Sequence, residues 1–196
     1  MEDIMLEYCK KLLLYPEEYE ILFQITDHVS SPTVFSDYYY DSYDYKMNRE
    51  STTYSIRQKS GKNKVTISKY LSDKEILLID SFEDDENINN QRMYKDTRVI
   101  LQGNSTTLRI EIYSSEGIVI YIDRNEYLGA TDYELGISYD HKAEEKVNTL
   151  LCDIARLLYA NINEKYAKEF CNRTHFYRSK YQRLLNRKTL TTSNNT

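Results

Sequence analysis

Seven short segments of this chain have the composition of β-strands, and their number and spacing are the feature that most constrains its fold. They are rich in β-branched or aromatic residues, are separated by turn signals such as SGKN and SSEG, and read LEYCKK, TYSIRQK, KVTISKY, EILLIDSF, TTLRIEIY, GIVIYID and DYELGIS. Each segment therefore predicts a β-strand, in which successive residues point to opposite faces. The regular spacing of the segments predicts an antiparallel sheet or barrel.

The polar faces of several predicted strands carry charges. In TYSIRQK, Tyr54 and Ile56 share one face and Arg57 lies on the other, and in TTLRIEIY, Arg109 and Glu111 lie opposite an apolar face. A sheet with one solvated face explains each strand separately. A barrel with a charged interior explains them together, and periodicity alone leaves both interpretations open.

Helical periodicity appears mainly in the last quarter of the chain. Apolar residues recur at helical spacing near 143–160 and 163–187, which predicts two amphipathic helices, and a third short helix is predicted around 16–26. Residues 164–188 are locally basic although the formal net charge of the chain is −5. Such a run is typical of a solvated helix face or of a place where phosphate docks.

Length and composition narrow the class of protein. A chain of 196 residues with 20 tyrosines and 40% hydrophobic residues predicts one soluble folded domain, and no apolar run is long enough to span a bilayer. The N-terminus lacks the features of a signal peptide, which predicts a cytoplasmic location. Three cysteines without C-x-x-C spacing argue against a disulfide framework or a structural zinc site.

Seven stretches, in order, resemble the motifs of the CYTH family, also called triphosphate tunnel metalloenzymes. EYCKK is similar to the E-x-E-x-K strand, YYYDSYD to Y-F-D-T-x-D, TYSIRQK to R-x-R, VTISK to T-x-K, GNSTTLR to G-x-x-T-T-x-R, and SKYQR to S-K-x-x-R. IDRNEYLGATDYELGIS resembles D-x-x-x-Y-L-G-x-x-D-Y-E-L-E almost residue for residue, as far as Gly136. The resemblance covers about residues 5–185.

The resemblance implies an α+β fold. It consists of a closed antiparallel β-barrel of about eight strands, the triphosphate tunnel, with flanking helices, two of them C-terminal. It implies a single tunnel domain over residues 1–188, and residues 189–196 are predicted to be a disordered tail.

Members of this family bind a triphosphate group inside the tunnel and, with Mg²⁺ or Mn²⁺, hydrolyse it or cyclise ATP. The resemblance therefore implies a metal-dependent triphosphate phosphohydrolase acting on inorganic triphosphate, thiamine triphosphate or a nucleoside triphosphate. Cations must surround the phosphate oxygens, and Mg²⁺ needs carboxylate ligands. The matched positions imply substrate contacts by Lys11, Arg57, Lys64, Arg109, Lys180 and Arg183, metal ligands Glu7, Asp123 and Glu134, and catalytic roles for Glu7, Lys11 and Glu134.

Three positions depart from the family pattern. Cys9 and Gly136 stand where each E-x-E pair has its second glutamate, and Ser55 stands at the first arginine of R-x-R. At the T-x-K strand, either Ser68 or Lys69 matches the lysine, and Lys64 shares a face with Ser68. Restoring glutamate at positions 9 and 136 together is expected to raise Mg²⁺-dependent hydrolysis.

These departures leave two main interpretations open. The chain is either an active triphosphatase that manages with fewer acids, or a degenerate tunnel that binds a phosphorylated ligand or partner without turnover; adenylate cyclase activity is a minor third. The expected partner is a small-molecule triphosphate taken up by a monomer or homodimer. Membrane and nucleic-acid binding are not expected, the latter because the chain is acidic overall.

Overall fold

A computed structural model describes residues 5–25, 30–70, 76–84, 87–159 and 164–193. These residues form nine strands: β1 (Met5–Leu14), β2 (Thr33–Asp41), β3 (Thr52–Lys59), β4 (Lys62–Tyr70), β5 (Ile76–Asp84), β6 (Gln91–Tyr94), β7 (Thr97–Ser115), β8 (Ile118–Tyr127) and β9 (Ala130–Tyr139). They also form five α-helices: α1 (Pro16–Ile25), α2 (Lys46–Arg49), α3 (Glu144–Leu158), α4 (Glu164–Asn172) and α5 (Lys180–Ser193). Short 3₁₀ helices occupy His141–Ala143 and Arg173–Phe176.

The strands form one curled antiparallel sheet. Its order is β2-β3-β4-β5-β1-β9-β8-β7-β6, and β2 also pairs with β7. Each strand of this series therefore has neighbours on both sides except the short β6, which pairs only with β7 among the described strands. The predicted antiparallel sheet with flanking helices is confirmed, and its polar faces point into the concave side.

Tight turns connect three of the hairpins. Ser60–Gly61 joins β3 to β4, Glu116–Gly117 joins β7 to β8, and Leu128–Gly129 joins β8 to β9, and both residues of each pair have positive φ. Positive φ at both central residues matches the right-handed twist of a two-residue hairpin. These turns fix the register of the strands that carry most of the polar concave face.

The hydrophobic core lies on the convex side of the sheet. Leu12 of β1, Ile122 of β8 and Leu135 of β9 are buried there in one cluster with apolar residues of α1, α3 and α4. A second cluster covers the outside of β2, β3 and β4, with Tyr40 and Ile56 fully buried. The apolar face of each strand thus turns outward to the helices, which leaves the charged face for the interior of the curl.

The C-terminal segment departs from the predicted pair of helices. The first helix agrees with α3, but the second is interrupted: α4 ends at Asn172, a 3₁₀ turn follows, and Tyr177 is extended before α5 begins at Lys180. Tyr177 is buried and donates a hydrogen bond to Glu134. The break turns this tyrosine and the start of α5 towards the concave side, which an unbroken helix would not do.

Helix α5 also continues farther than expected. It extends to Ser193, so most of the segment predicted as a disordered tail is helical, and residues 194–196 lie outside the described part. None of the described helices has the length and apolar character required to cross a bilayer.

Candidate functional site

A cavity of about 300 Å³ lies on the concave side of the sheet. Five cationic side chains from five different elements line it: Lys11, Arg57, Lys64, Arg109 and Lys180. Among the described residues, the carboxylates that line it belong to Glu7 and Asp37. Because like charges repel at short range, an excess of cations in a confined space favours an anionic ligand.

Strand β4 settles which of its residues face the cavity. Lys64, Thr66 and Ser68 line it, whereas Lys69 contributes to a separate depression on the outer side, together with Asp80. Lys64 pairs across the sheet with Arg57 of β3. The cavity-facing lysine of this strand is therefore Lys64, and of the two residues at its other end Ser68 faces the cavity and Lys69 does not.

Arg57 is held in place by β2. Its Nε and NH2 donate to the two carboxylate oxygens of Asp37 at 2.8 and 2.9 Å, and its guanidinium lies 3.9 Å from the ring centre of Phe35. A bidentate pair and a stacking contact together fix the plane of an arginine side chain. The Arg57 side chain remains 39% exposed, so it is both oriented and accessible from the cavity.

Arg109 is positioned in the same manner from β8. Its Nε and NH2 donate to Asp123 at 2.8 Å each, and its guanidinium lies 3.5 Å from the ring centre of Tyr121. The Nζ of Lys180, at the start of α5, donates to the same carboxylate at 2.8 Å and to Thr107 at 3.1 Å. One fully buried carboxylate thus holds two cations at the cavity wall.

The burial of this cluster affects its ionisation. Burial alone would raise the pKa of Asp123, but Lys180 and Arg109 outweigh it and hold the pKa well below its usual value. Burial lowers the pKa of Lys180, and the charge of Asp123 partly offsets that effect. Asp123 is therefore an anion whose charge is already matched by its neighbours.

Glu134 and Arg183 form a second buried pair behind the cavity. Oε2 of Glu134 accepts hydrogen bonds from Tyr177 at 2.9 Å and from Arg183 at 3.0 Å, and Arg183 also donates to Asp132 at 2.8 Å. Burial raises the pKa of Glu134, but Lys180 and Arg183 outweigh it and lower the value overall. Arg183, expected to contact the substrate, instead fastens α5 to β9 and is not among the residues that line the cavity.

The first strand retains one acid at the cavity. Glu7 lines it and accepts a hydrogen bond from Ser138 of β9 at 2.8 Å. Cys9 is fully buried and pairs across the sheet with Ser138. Glu7 is therefore accessible to a ligand, whereas the thiol that replaces the second glutamate is not.

Tyr121 fills the space that a side chain at position 136 would need. A Cβ added to Gly136 would lie 2.2 Å from Cζ and 2.4 Å from the hydroxyl oxygen of Tyr121. The two residues are paired across β8 and β9, and the Tyr121 ring is itself buried. The expectation that glutamate could simply be restored at position 136 is therefore not supported, because a ring occupies its place.

The described residues do not fit the predicted metal ligand set. Of Glu7, Asp123 and Glu134, only Glu7 lines the cavity, and both oxygens of Asp123 are bonded to cations. Oε1 of Glu134 is a buried oxygen without a hydrogen-bond partner among the described residues, which provides a single candidate ligand atom. No group of three acidic, histidine or cysteine side chains suited to a metal occurs in the ranges the structure describes.

Sequence reasoning missed three residues of this site: Asp37, Tyr121 and Tyr177. The alternation that places Asp37 inward is obscured by the tyrosines that follow it. Tyr121 lies two residues before Asp123, so the strand period alone places both on one face. The position of Tyr177 depends on the helix break, for which the periodicity gives no signal.

Comparison with solved structures supports the fold. A Bacillus halodurans protein proposed to be an adenylate cyclase superposes with a TM-score of 0.59 at 17% identity, over 76% of this chain and 89% of that one. HpAC1 of Hippeastrum, described as having a dominant triphosphatase activity, gives 0.55 at 16% identity, over 87% and 88%. The mimivirus capping enzyme triphosphatase gives 0.52 at 9% identity, over 78% of this chain and 90% of that one.

The sequence itself gives a match of a different kind. A search of curated proteins found no significant relative. The CYTH domain family, however, matches residues 5–166, which include all nine strands and the three helices that follow β1, β2 and β9. A match over this much of the sequence, with the fold in agreement, establishes that the chain belongs to the CYTH domain family.

Proposed function

We propose that the concave cavity binds the triphosphate group of a small molecule. The observation that carries this proposal is the convergence of five cationic side chains, from four strands and one helix, on a single cavity of about 300 Å³. The negative charge of a triphosphate is distributed over the oxygens of three phosphate groups. Several cations around one cavity therefore match it better than a site with a single cation would.

The two arginines supply directional contacts and the lysines supply charge. Arg57 and Arg109 are each held by a carboxylate through two of their nitrogens, which orients the fork before a ligand arrives. Preorganised donors lose little conformational entropy on binding. Lys11 and Lys64 have no ion-pair partner in the part of the chain that the structure describes, so their charge is available to a ligand.

Two further observations support a triphosphate ligand within a tunnel. The pairing of β2 with both β3 and β7 supports a sheet that surrounds its ligand. Two of the similar structures are described as having triphosphatase activity, which favours triphosphate over other anions as the group to test first.

Binding is better supported than hydrolysis. Phosphoryl transfer in CYTH triphosphatases is generally metal-dependent, and only Glu7 of the three predicted metal ligands reaches the cavity here. We therefore propose a tunnel that binds triphosphate with little or no turnover. Hydrolysis by Glu7, Lys11 and Glu134 is the competing outcome of the same experiment.

Isothermal titration calorimetry with inorganic triphosphate, thiamine triphosphate, ATP and GTP tests the proposal. Replacing Arg57 or Arg109 by alanine is expected to weaken binding by about tenfold to a hundredfold, the usual loss for hydrogen bonds to a charged group. Arg124→Ala is the matched control, because Arg124 on β8 pairs with Glu126 and is half-exposed. If Arg57→Ala, Arg109→Ala and Arg124→Ala all bind triphosphate as tightly as the wild type, the proposal is contradicted.

Phosphate release is measured on the same panel with Mg²⁺ or Mn²⁺. The proposal predicts saturable binding without release above the uncatalysed rate. Release that disappears in Glu7→Gln would replace it with the triphosphatase function, with Glu7 as a residue of the catalytic machinery.

A further inference from the structure

We propose that the cavity takes up its triphosphate as the free anion, and that divalent metal ions weaken binding by withdrawing the ligand into a metal complex. This inference rests on the proposed function and concerns the form of the ligand. CYTH triphosphatases generally use a metal, so a preference for the metal-free anion would set this chain apart from them.

The first argument is that the buried carboxylates are already committed. Both oxygens of Asp123 accept hydrogen bonds from Arg109, and one also accepts from Lys180. Asp123 is fully buried, so a metal would have to displace these cations and leave them unpaired beside it. Loss of one partner of a buried ion pair is strongly destabilising, which opposes metal binding here.

The second argument is the loss of space for a paired carboxylate. A side chain at Gly136 would meet the ring of Tyr121 within 2.2 Å, and that ring lies 3.5 Å from the guanidinium of Arg109. The volume that a metal-binding side chain at position 136 would need therefore holds an aromatic ring that supports a cavity-lining arginine. Cys9, at the other departure, is fully buried, and a thiol is a poor ligand for Mg²⁺.

The unpartnered oxygen of Glu134 does not change this conclusion. Oε1 is buried without a hydrogen bond among the described residues, but Mg²⁺ requires near-octahedral oxygen coordination, and the second oxygen already binds Tyr177 and Arg183. Lys180 and Arg183 are the main cations that act on this carboxylate, and Arg183 pairs with it at 3.0 Å. They balance its charge, which is the role that a metal would otherwise fill.

The third argument is electrostatic. Five cations and two carboxylates line the cavity, so its attraction for a ligand grows with the negative charge that the ligand carries. A divalent metal cancels two of those charges. Of the two lining carboxylates, Asp37 is already paired with Arg57, so Glu7 alone could coordinate the metal. The free anion is therefore the stronger ligand.

Calorimetric titration of inorganic triphosphate, in EDTA and in increasing MgCl₂, tests the inference. If only the free anion binds, Mg²⁺ at about ten times the dissociation constant of its triphosphate complex leaves about one-eleventh of the ligand free, so the apparent Kd rises about elevenfold. NaCl at matched ionic strength is the control for screening and should produce a smaller rise. An apparent Kd that stays constant or falls with Mg²⁺, relative to this control, overturns the inference.

A second readout uses the metal alone. Electron paramagnetic resonance of Mn²⁺ titrated with the protein should show only free aqueous ion, and the signal should be the same for Glu7→Gln. Loss of the free-ion signal with wild type, but not with Glu7→Gln, would identify a metal site and refute the inference.

These outcomes are separable from failure of the proposed function. If triphosphate does not bind in either EDTA or MgCl₂, or if binding is unaffected in both Arg57→Ala and Arg109→Ala, the proposed function itself is wrong. If binding needs both Arg57 and Mg²⁺, the proposed function stands and the inference about the free anion fails.

Discussion

Replacing Gly136 by alanine is the sharpest test of how the interior is packed. The added Cβ would lie 2.2 Å from Cζ of Tyr121, whereas ordinary contact begins at 3.4 Å, so the ring must move by about 1 Å. Overpacking of this kind costs about 1–3 kcal/mol. Displacement from Arg109 adds about 0.5–2 kcal/mol for the weakened cation–π contact. We expect a total loss of about 1.5–5 kcal/mol in the free energy of unfolding, which lowers Tm by about 3–20 °C in a chain of this size.

Urea unfolding of a double-mutant cycle isolates the responsible contact. In a Tyr121→Ala background the space is vacant, so Gly136→Ala should then cost close to nothing. Tyr121→Phe is the matched control: it keeps the ring and removes only the hydroxyl group, so Gly136→Ala should remain costly there. If Gly136→Ala costs the same in the Tyr121→Ala background as in the wild type, Tyr121 does not fill the position and the argument from lost space is refuted.

Three further predictions concern a lysine of the cavity, the carboxylate that holds two of its cations, and the packing of α1. Lys64→Ala should weaken triphosphate binding by about tenfold in calorimetry, whereas Lys69→Ala, on the opposite face of β4, should not. Asp123→Asn should cost about 3–5 kcal/mol in urea unfolding at pH 7, because it leaves the buried Lys180 and the partly buried Arg109 without their charged partner. Folding lowers the pKa of Asp123, so the ionised carboxylate stabilises the fold above about pH 4 and this stabilisation is lost as the pH falls. The free energy of unfolding of Asp123→Asn should therefore decline less steeply below that pH than that of the wild type. Glu18→Gln should lower Tm by weakening the bidentate contact with Arg173 that joins α1 to the 3₁₀ turn, and an unchanged Tm would contradict that role.

The faces of the strands could be predicted from the sequence because strand geometry has a period of two. The segments around Arg57, Lys64 and Arg109 point their polar residues into the cavity as the alternation requires. The turns before β4, β8 and β9 each contain glycine at the second of their two positions with positive φ, and these glycines allow the hairpins to be located from the sequence. These are local properties, and a single sequence contains them.

The contacts that decide the chemistry are not local. Tyr121 fills the position beside Gly136 only because β8 and β9 pair in one particular register. The break at Tyr177 interrupts a segment whose apolar spacing is compatible with one helix, and burial of the side chain against Glu134 outweighs that local preference. Tertiary pairing and packing therefore determined where the acids point, and no periodicity could supply that information.

The departures from the family pattern are physically linked. Gly136 has no side chain, and an empty space beside it would be costly unless a neighbour fills it. Tyr121 fills that space and stacks on Arg109, so one ring occupies the position of the second glutamate of the family motif and also supports an arginine of the cavity wall. A glutamate placed at position 136 alone would clash with this ring. A paired carboxylate here would therefore require changes at Tyr121 and Gly136 together, and this packing is the physical basis of the proposed preference for the free anion.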